Sequence, residues 1–245
     1  MLPVDKLYML INQAETENYF KQLQEIYNKL PDTSCEQCGT CCTVPQPAFL
    51  MEYLNIYRFL KNNLQEQLPE ILKKAARYYF LELGDINIKC PFLDEENKCA
   101  IYPVRPYNCR TFGVLPEKDT VFGTEGQMAA LAQKFRSEHD IRLPEEIVNF
   151  KLSPCYKVEL LNNKKVTRQK LGEYLAEVSK FDGLLLPPEI VEKNLTFIPA
   201  AVHLAHTVLS EGARVRKMKV LKEYIDTGKS EALDKYIDDA ASFNL

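Results

Sequence analysis

The segment Cys35-Glu36-Gln37-Cys38-Gly39-Thr40-Cys41-Cys42 carries four thiols within eight residues. Thiolate sulfur is a soft donor that suits zinc and iron–sulfur centres. A C-x2-C pair can turn back so that both sulfurs reach one metal, and Gly39 eases the backbone angles such a turn needs. Cys35, Cys38 and Cys41 have the C-x2-C-x2-C spacing with which a bacterial ferredoxin loop wraps a cuboidal iron–sulfur cluster. No x3-Cys-Pro follows, so a further ligand must come from a distance. Cys90 (followed by Pro91), Cys99, Cys109 and Cys155 are the candidates. In extended backbone Cys41 and Cys42 would point apart, serving two centres or opposite sides of one cluster. Eight thiols suffice for two four-sulfur sites, or for one cluster with spare cysteines in redox or structural roles. Arg105 and Arg110 flank Cys109. Guanidinium groups there would offset the negative charge of a four-thiolate centre; the alternative is that both are ordinary surface charges.

The rest of the chain frames this chemistry. Of 245 residues, 46% are hydrophobic and 27% charged, enough to bury a sizeable core without disulfide staples. The balance of 31 basic against 34 acidic residues gives a net charge of −3, which argues against a dedicated nucleic-acid binder. The stretch Met1-Leu2-Pro3-Val4-Asp5-Lys6 lacks the features of a secretory leader, and no run is apolar enough for a membrane span. The expected location is cytoplasmic, where thiols stay reduced and clustered cysteines serve as metal ligands or redox groups. The sequon Asn194-Leu195-Thr196 is then a chance match. A free cysteine can also act as a small buried hydrophobe, but spacing this tight is not what that role requires.

Helical spacing must position these residues. Leu7, Leu10, Ile11, Ala14, Leu23, Ile26, Tyr27 and Leu30 predict helix over 5–30, with a polar break at 15–18 and a stop at Pro31. Further helices are predicted over 49–63 and from Pro69 to Leu83, ended by Gly84. Residues 88–93 and 98–102 flank Asp94-Glu95-Glu96-Asn97 and read as a small hairpin holding Cys90 and Cys99. Pro103 and Pro106 impose an irregular path to Cys109. A loop with Gly113, Gly123 and Gly126 precedes helix near 125–138, and a weak helical stretch spans 144–151. Beyond about 166 the chain is helical and cysteine-free: 167–182, 188–194, 196–210, 213–227 and 230–241. Gly183, Gly212 and Gly228 read as stops and Ser230 as an N-cap.

Other motifs fail on inspection. Thr227-Gly228-Lys229-Ser230 resembles the end of a phosphate loop, but Glu223 stands where glycine is needed. No G-x-G-x-x-G occurs. The C-x3-C-x2-C spacing of radical methyl-donor enzymes breaks at Pro45. His203 and His206 stand three apart among Ala200, Leu204 and Val208, which reads as helix-face or core packing in preference to a metal pair. Arg214, Arg216, Lys217, Lys219 and Lys222 form the polar face of an amphipathic helix, solvated in preference to a docking surface.

Taken together, Cys35-x2-Cys38-Gly39-x-Cys41-Cys42, Cys90-Pro91-Phe92-Leu93 and Cys99-x-Ile101-Tyr102-x2-Arg105-Pro106-x2-Cys109-Arg110-x-Phe112 resemble the YkgJ-like CxxCxxCC cysteine-cluster family. That family is described as zinc- or iron-chelating, and a related domain occurs in flagellin lysine N-methylases. The resemblance covers about residues 33–155. It implies Cys35, Cys38, Cys41, Cys42, Cys90, Cys99 and Cys109 as ligands, with Cys155, in Ser153-Pro154-Cys155-Tyr156, where a later family cysteine is expected.

The expected fold is mainly α: a helical protein with an irregular Cys-rich metal-binding core and a small β-hairpin. The expected division is 1–160, a Cys-cluster metal-binding domain with an N-terminal helix, and 161–245, a helical C-terminal region, with its packing on the first left open. The expected function is metal binding, by an iron–sulfur cluster (4Fe–4S favoured) or zinc. One alternative is a protein-lysine N-methylase resembling the flagellin-modifying enzymes, which would use S-adenosylmethionine; iron–sulfur oxidoreductase chemistry is the other enzymatic possibility. Another is a zinc-stapled interaction module. A protein partner or substrate fits these readings; nucleic acid and membrane do not.

Overall fold

The computed structural model describes residues 4–36, 38–44, 46–115, 126–151, 155, 157–161, 166–191 and 196–243. Gly123, Ser153, Pro154, Tyr156 and the Asn194-Leu195 part of the sequon lie outside them. Helix α1 (Val4–Thr16) buries Leu7, Leu10, Ile11 and Ala14 on one face. Asn18, at φ 58, breaks it in the left-handed region that asparagine tolerates, and α2 (Tyr19–Tyr27) resumes with Leu23, Ile26 and Tyr27 inward. The predicted polar break is thus a real turn between two helices.

Strand β1 (Thr33–Ser34), a 3-10 turn (Thr40–Thr43) and strand β2 (Pro47–Ala48) lead into α3 (Leu50–Asn63). Helix α3 is buried on most sides, with Met51, Leu54, Ile56, Tyr57 and Leu60 fully inside. A helix start in such a place needs partners for its free amides. The Asp182 carboxylate accepts from Leu50 N–H (3.0 Å) and Met51 N–H (3.1 Å), and Glu52 accepts from Phe49 N–H at 2.9 Å. Helix α4 (Leu68–Leu81) follows, with Pro69 in its first turn as its fixed φ favours.

The predicted hairpin closes through one antiparallel bridge, Leu93 to Cys99. Asp94 Oδ1 holds the turn by accepting from Glu96 N–H (2.9 Å) and Lys98 N–H (2.7 Å). A 3-10 turn (Tyr102–Val104) and the short α5 (Tyr107–Thr111) replace the irregular path expected there. Proline fits a first helical turn as readily as it breaks an interior, and two prolines masked the signal. Next come α6 (Gln127–His139), α7 (Glu145–Val148), β3 (Glu159–Leu160), α8 (Arg168–Leu185), α9 (Pro188–Val191), β4 (Ile198–Pro199), α10 (Ala200–Val208), α11 (Glu211–Val215), α12 (Lys217–Thr227) and α13 (Glu231–Ala241). Helix α8 runs through Gly183 and ends at Leu186, whose extended backbone precedes Pro187. Gly212 lies inside α11 and stops nothing. Gly228, at φ 76, closes α12, and Ser230 Oγ caps α13 by accepting from Leu233 N–H.

The fold is mainly α, with two small antiparallel pairs. Thr33 and Ser34 of β1 face Leu160 and Glu159 of β3, and Pro47 and Ala48 of β2 face Pro199 and Ile198 of β4. The C-terminal helices α10, α12 and α13 pack on α4. Phe80 stacks on Tyr236 with ring centroids 5.3 Å apart, and a Cβ on Gly84 would meet Leu221 Cδ1 at 2.7 Å. One buried apolar cluster extends from Leu7 to Ala240. Among the described residues no helix is long and apolar enough to cross a membrane.

Candidate metal centre

Local backbone bonds bring the cysteine segments together. The Cys42 amide donates to Gly39 O (2.9 Å), closing the turn that carries Cys41 and Cys42. Gly39 adopts φ 74, and a Cβ there would lie 3.3 Å from the Asn97 side chain, so the first loop sits directly on the 94–97 turn. The Cys90 amide donates to Cys42 O at 2.8 Å, stitching the second segment to the first. The Leu93–Cys99 bridge sets Cys99, and α5 presents Cys109. Cys155 comes from the far side: a Cβ on Gly113 (φ 78) would stand 2.9 Å from Cys155 Cβ, so only glycine admits this approach.

The result is one cavity of about 80 Å³ lined by all eight cysteines, with Arg105 and Arg110 on its wall. Cys155, the outlier in sequence, is among them. All eight are half-buried free thiols. One water needs roughly 10–15 Å³ of such space, so the cavity exceeds that of a single small ion. Among the described residues no three His, Cys, Asp or Glu side chains already converge as a metal site. The sulfurs surround a volume larger than one ion.

Cys41 and Cys42 do not point apart. Their sulfurs lie 3.6 Å from each other because the backbone there is a 3-10 turn and not extended chain. The expectation of opposed side chains rested on strand geometry that the segment does not adopt.

Crowding shapes the acidity of the thiols. The hydrogen bond with Cys42, then burial and the nearness of Cys42 and Cys38, hold the Cys41 proton far above its ordinary range. For Cys42 the contact with Cys41 acts downward. The hydrogen bond with Cys90, burial and nearby Cys90 and Cys99 outweigh it and push the thiol up to about 12. Burial pushes Cys99 up to about 11 against the Ile101 amide and the Arg105 charge. Burial, followed by Cys41, Cys42 and Cys99, raises Cys109. Thiolates this close repel, so a bound cation is what would let them ionise together.

Glu52 is a supporting residue that sequence spacing does not reveal. Its carboxylate, 1% exposed, accepts from Tyr27 Oη–H (2.6 Å), Tyr107 N–H (2.6 Å) and Phe49 N–H (2.9 Å). The Tyr107 bond fixes the first residue of α5, two before Cys109. Burial raises the Glu52 pKa, and these three donors oppose the rise. The only signal in the sequence is a lone acid inside Leu50-Met51-Glu52-Tyr53-Leu54, since buried carboxylates are rare unless partnered.

The two arginines differ. Arg110 donates from Nε to Arg105 O (2.8 Å) and from Nη2 to Pro103 O (2.6 Å), and its guanidinium lies 4.2 Å over the Tyr27 ring. It clamps its own loop. Arg105 lies 3.9 Å over the Tyr102 ring, and its buried Nε has no hydrogen-bond partner.

The histidines stand apart from the thiol cavity. His203 Nε2 lies 3.2 Å from Ala48 O and 3.0 Å from Thr196 O, so its N–H donates to carbonyls flanking the β2–β4 pair. Its ring stacks on Tyr53 at 4.9 Å, and burial lowers its pKa to about 4. His206 packs edge-on against Tyr79. His203 is a core residue and His206 a half-buried helix-face one, as the expectation of helix-face or core packing allows.

No solved structure matches the chain. Residues 34–130 match the CxxCxxCC family model, described as "Putative zinc- or iron-chelating domain". The match runs from the first cysteine loop past Cys109 and stops short of Cys155, which reaches the cavity through Gly113. The segment that builds most of the thiol cavity, residues 34–130, is therefore similar to the CxxCxxCC domain, a type described as zinc- or iron-chelating.

Proposed function

We propose that the thiol cavity holds an iron–sulfur centre of the four-iron class. The observation that carries this is the gathering of eight cysteines, from widely separated stretches, around one space larger than a single ion. All-sulfur donor sets fit both zinc and iron–sulfur centres. The C-x2-C-x2-C spacing of Cys35, Cys38 and Cys41 and the size of the cavity favour the cluster. In this reading those three are the loop donors. Cys42, Cys90, Cys99, Cys109 and Cys155 supply the remaining donor and the sulfur wall around it. Such a centre, when bound, supplies one-electron transfer. The chain's own contribution is to orient the thiols and to offset negative charge with Arg105. A cluster of reduced thiols also suits a reducing compartment such as the cytosol.

Anaerobic purification followed by iron, zinc and acid-labile sulfide analysis tests the proposal. The expected result is a brown protein with iron and sulfide in equal amounts. A colourless chain with stoichiometric zinc and no sulfide would make the site a zinc staple instead.

A further inference from the structure

Arg105 carries an unmet hydrogen-bond donor. Its Nε is buried without a partner, and none of the ion pairs among the described residues includes it. The Tyr102 ring beneath it gives a face for the cation but no hydrogen-bond acceptor. Arg110, one turn away, spends its donors on Arg105 O and Pro103 O. Two adjacent guanidiniums raise each other's cost, and burial already disfavours the Arg110 charge. A buried charged N–H left unmade is costly, so a position of this kind is completed by an acceptor that arrives from outside the chain. The wall on which Arg105 lies offers sulfur, with Cys99 close enough to feel its charge.

We propose that Arg105 is the charge partner of the centre, donating its Nε–H to a sulfur of the filled cavity and so setting the centre's reduction potential. The inference rests on the iron–sulfur reading above. Hydrogen bonds to sulfur and positive charge near a cluster favour the reduced, more negative state and raise its potential. Arg110, already committed to backbone carbonyls, has no such role.

Dye-mediated redox titration of the anaerobically purified full chain, followed by visible absorbance, tests this on wild type, Arg105→Lys and Arg105→Gln. The expected order of midpoint potential is wild type highest, Arg105→Lys lower, and Arg105→Gln lowest, with equal iron per chain. Should Arg105→Gln fail to load, Arg105→Lys decides: it keeps the charge but carries its donors on a flexible ammonium and none at the fixed Nε position, and its potential must fall below wild type. An unchanged potential in a loaded variant overturns the inference and leaves the centre standing. A wild-type chain without iron and sulfide overturns both. Calorimetric binding of inorganic phosphate by wild type, lost in Arg105→Gln, would reassign Arg105 to a soluble anion and overturn the inference as well.

Discussion

Crowded thiols hold their protons, and the direction of the effect is the same at Cys41, Cys42, Cys99 and Cys109. In the unfolded chain each would ionise near its ordinary value of 9.0. Above that pH the unfolded state binds fewer protons than the folded one, so stability falls as pH rises from about 9 toward 12. Tyrosines with raised pKa act in the same sense but only above 10.0. The metal-free, reduced chain should therefore show a lower urea midpoint at pH 10 than at pH 8; a flat or rising profile contradicts the crowding. A second residue-scale expectation concerns Cys155. Gly113 and Gly126 both have positive φ, but a Cβ at Gly126 meets open space. Alanine at either costs about 1–2 kcal/mol in backbone conformation. Gly113→Ala must also displace Cys155, so it should melt lower than Gly126→Ala and leave Cys155 faster to alkylate by mass spectrometry. Equal behaviour of the two variants would remove Gly113 from the account of the site.

At the scale of elements, α3 and α5 meet at one buried carboxylate. Glu52→Gln keeps an oxygen for Tyr27 and Tyr107 but turns an amide N–H2 toward the Phe49 N–H. Leaving a buried donor unmet costs about 1–3 kcal/mol, so the variant should lose stability in that range by urea denaturation. A loss below about 0.5 kcal/mol would mean Glu52 is not the junction described. Long elements were the legible ones. The 3.6-residue spacing of Leu7, Leu10, Ile11 and Ala14 located α1, and Ser230 and Gly228 marked real helix ends. Short elements were not legible: β1 to β4 span two residues each, too few to show a period, and they form only because distant chain lies alongside. Gly183 and Gly212 were misleading because packing can hold glycine inside a helix despite its entropy cost. The closeness of Cys41 and Cys42 is hidden in the sequence for a related reason: the turn that brings their sulfurs together has no signature beyond Gly39.

For the molecule as a whole, α4 is the spine on which α10, α12 and α13 rest. Phe80, fully buried against Tyr236, lies away from the thiol cavity. Phe80→Ala should cost about 3–5 kcal/mol by urea denaturation while metal per folded chain stays unchanged. Loss of metal in parallel would tie the site to this interface. Eight cysteines line one cavity, and the sequence names all eight as candidates, seven by close spacing and Cys155 as a distant donor. How Cys155 reaches the cavity needed the fold, since nothing near it in sequence shows that Gly113 will admit it. What fills the site is the central claim, and quantitative iron, zinc and acid-labile sulfide analysis of anaerobically purified chain tests it most directly. About four iron and four sulfide per chain is the predicted result. Stoichiometric zinc without iron or sulfide, or no metal at all, would contradict it.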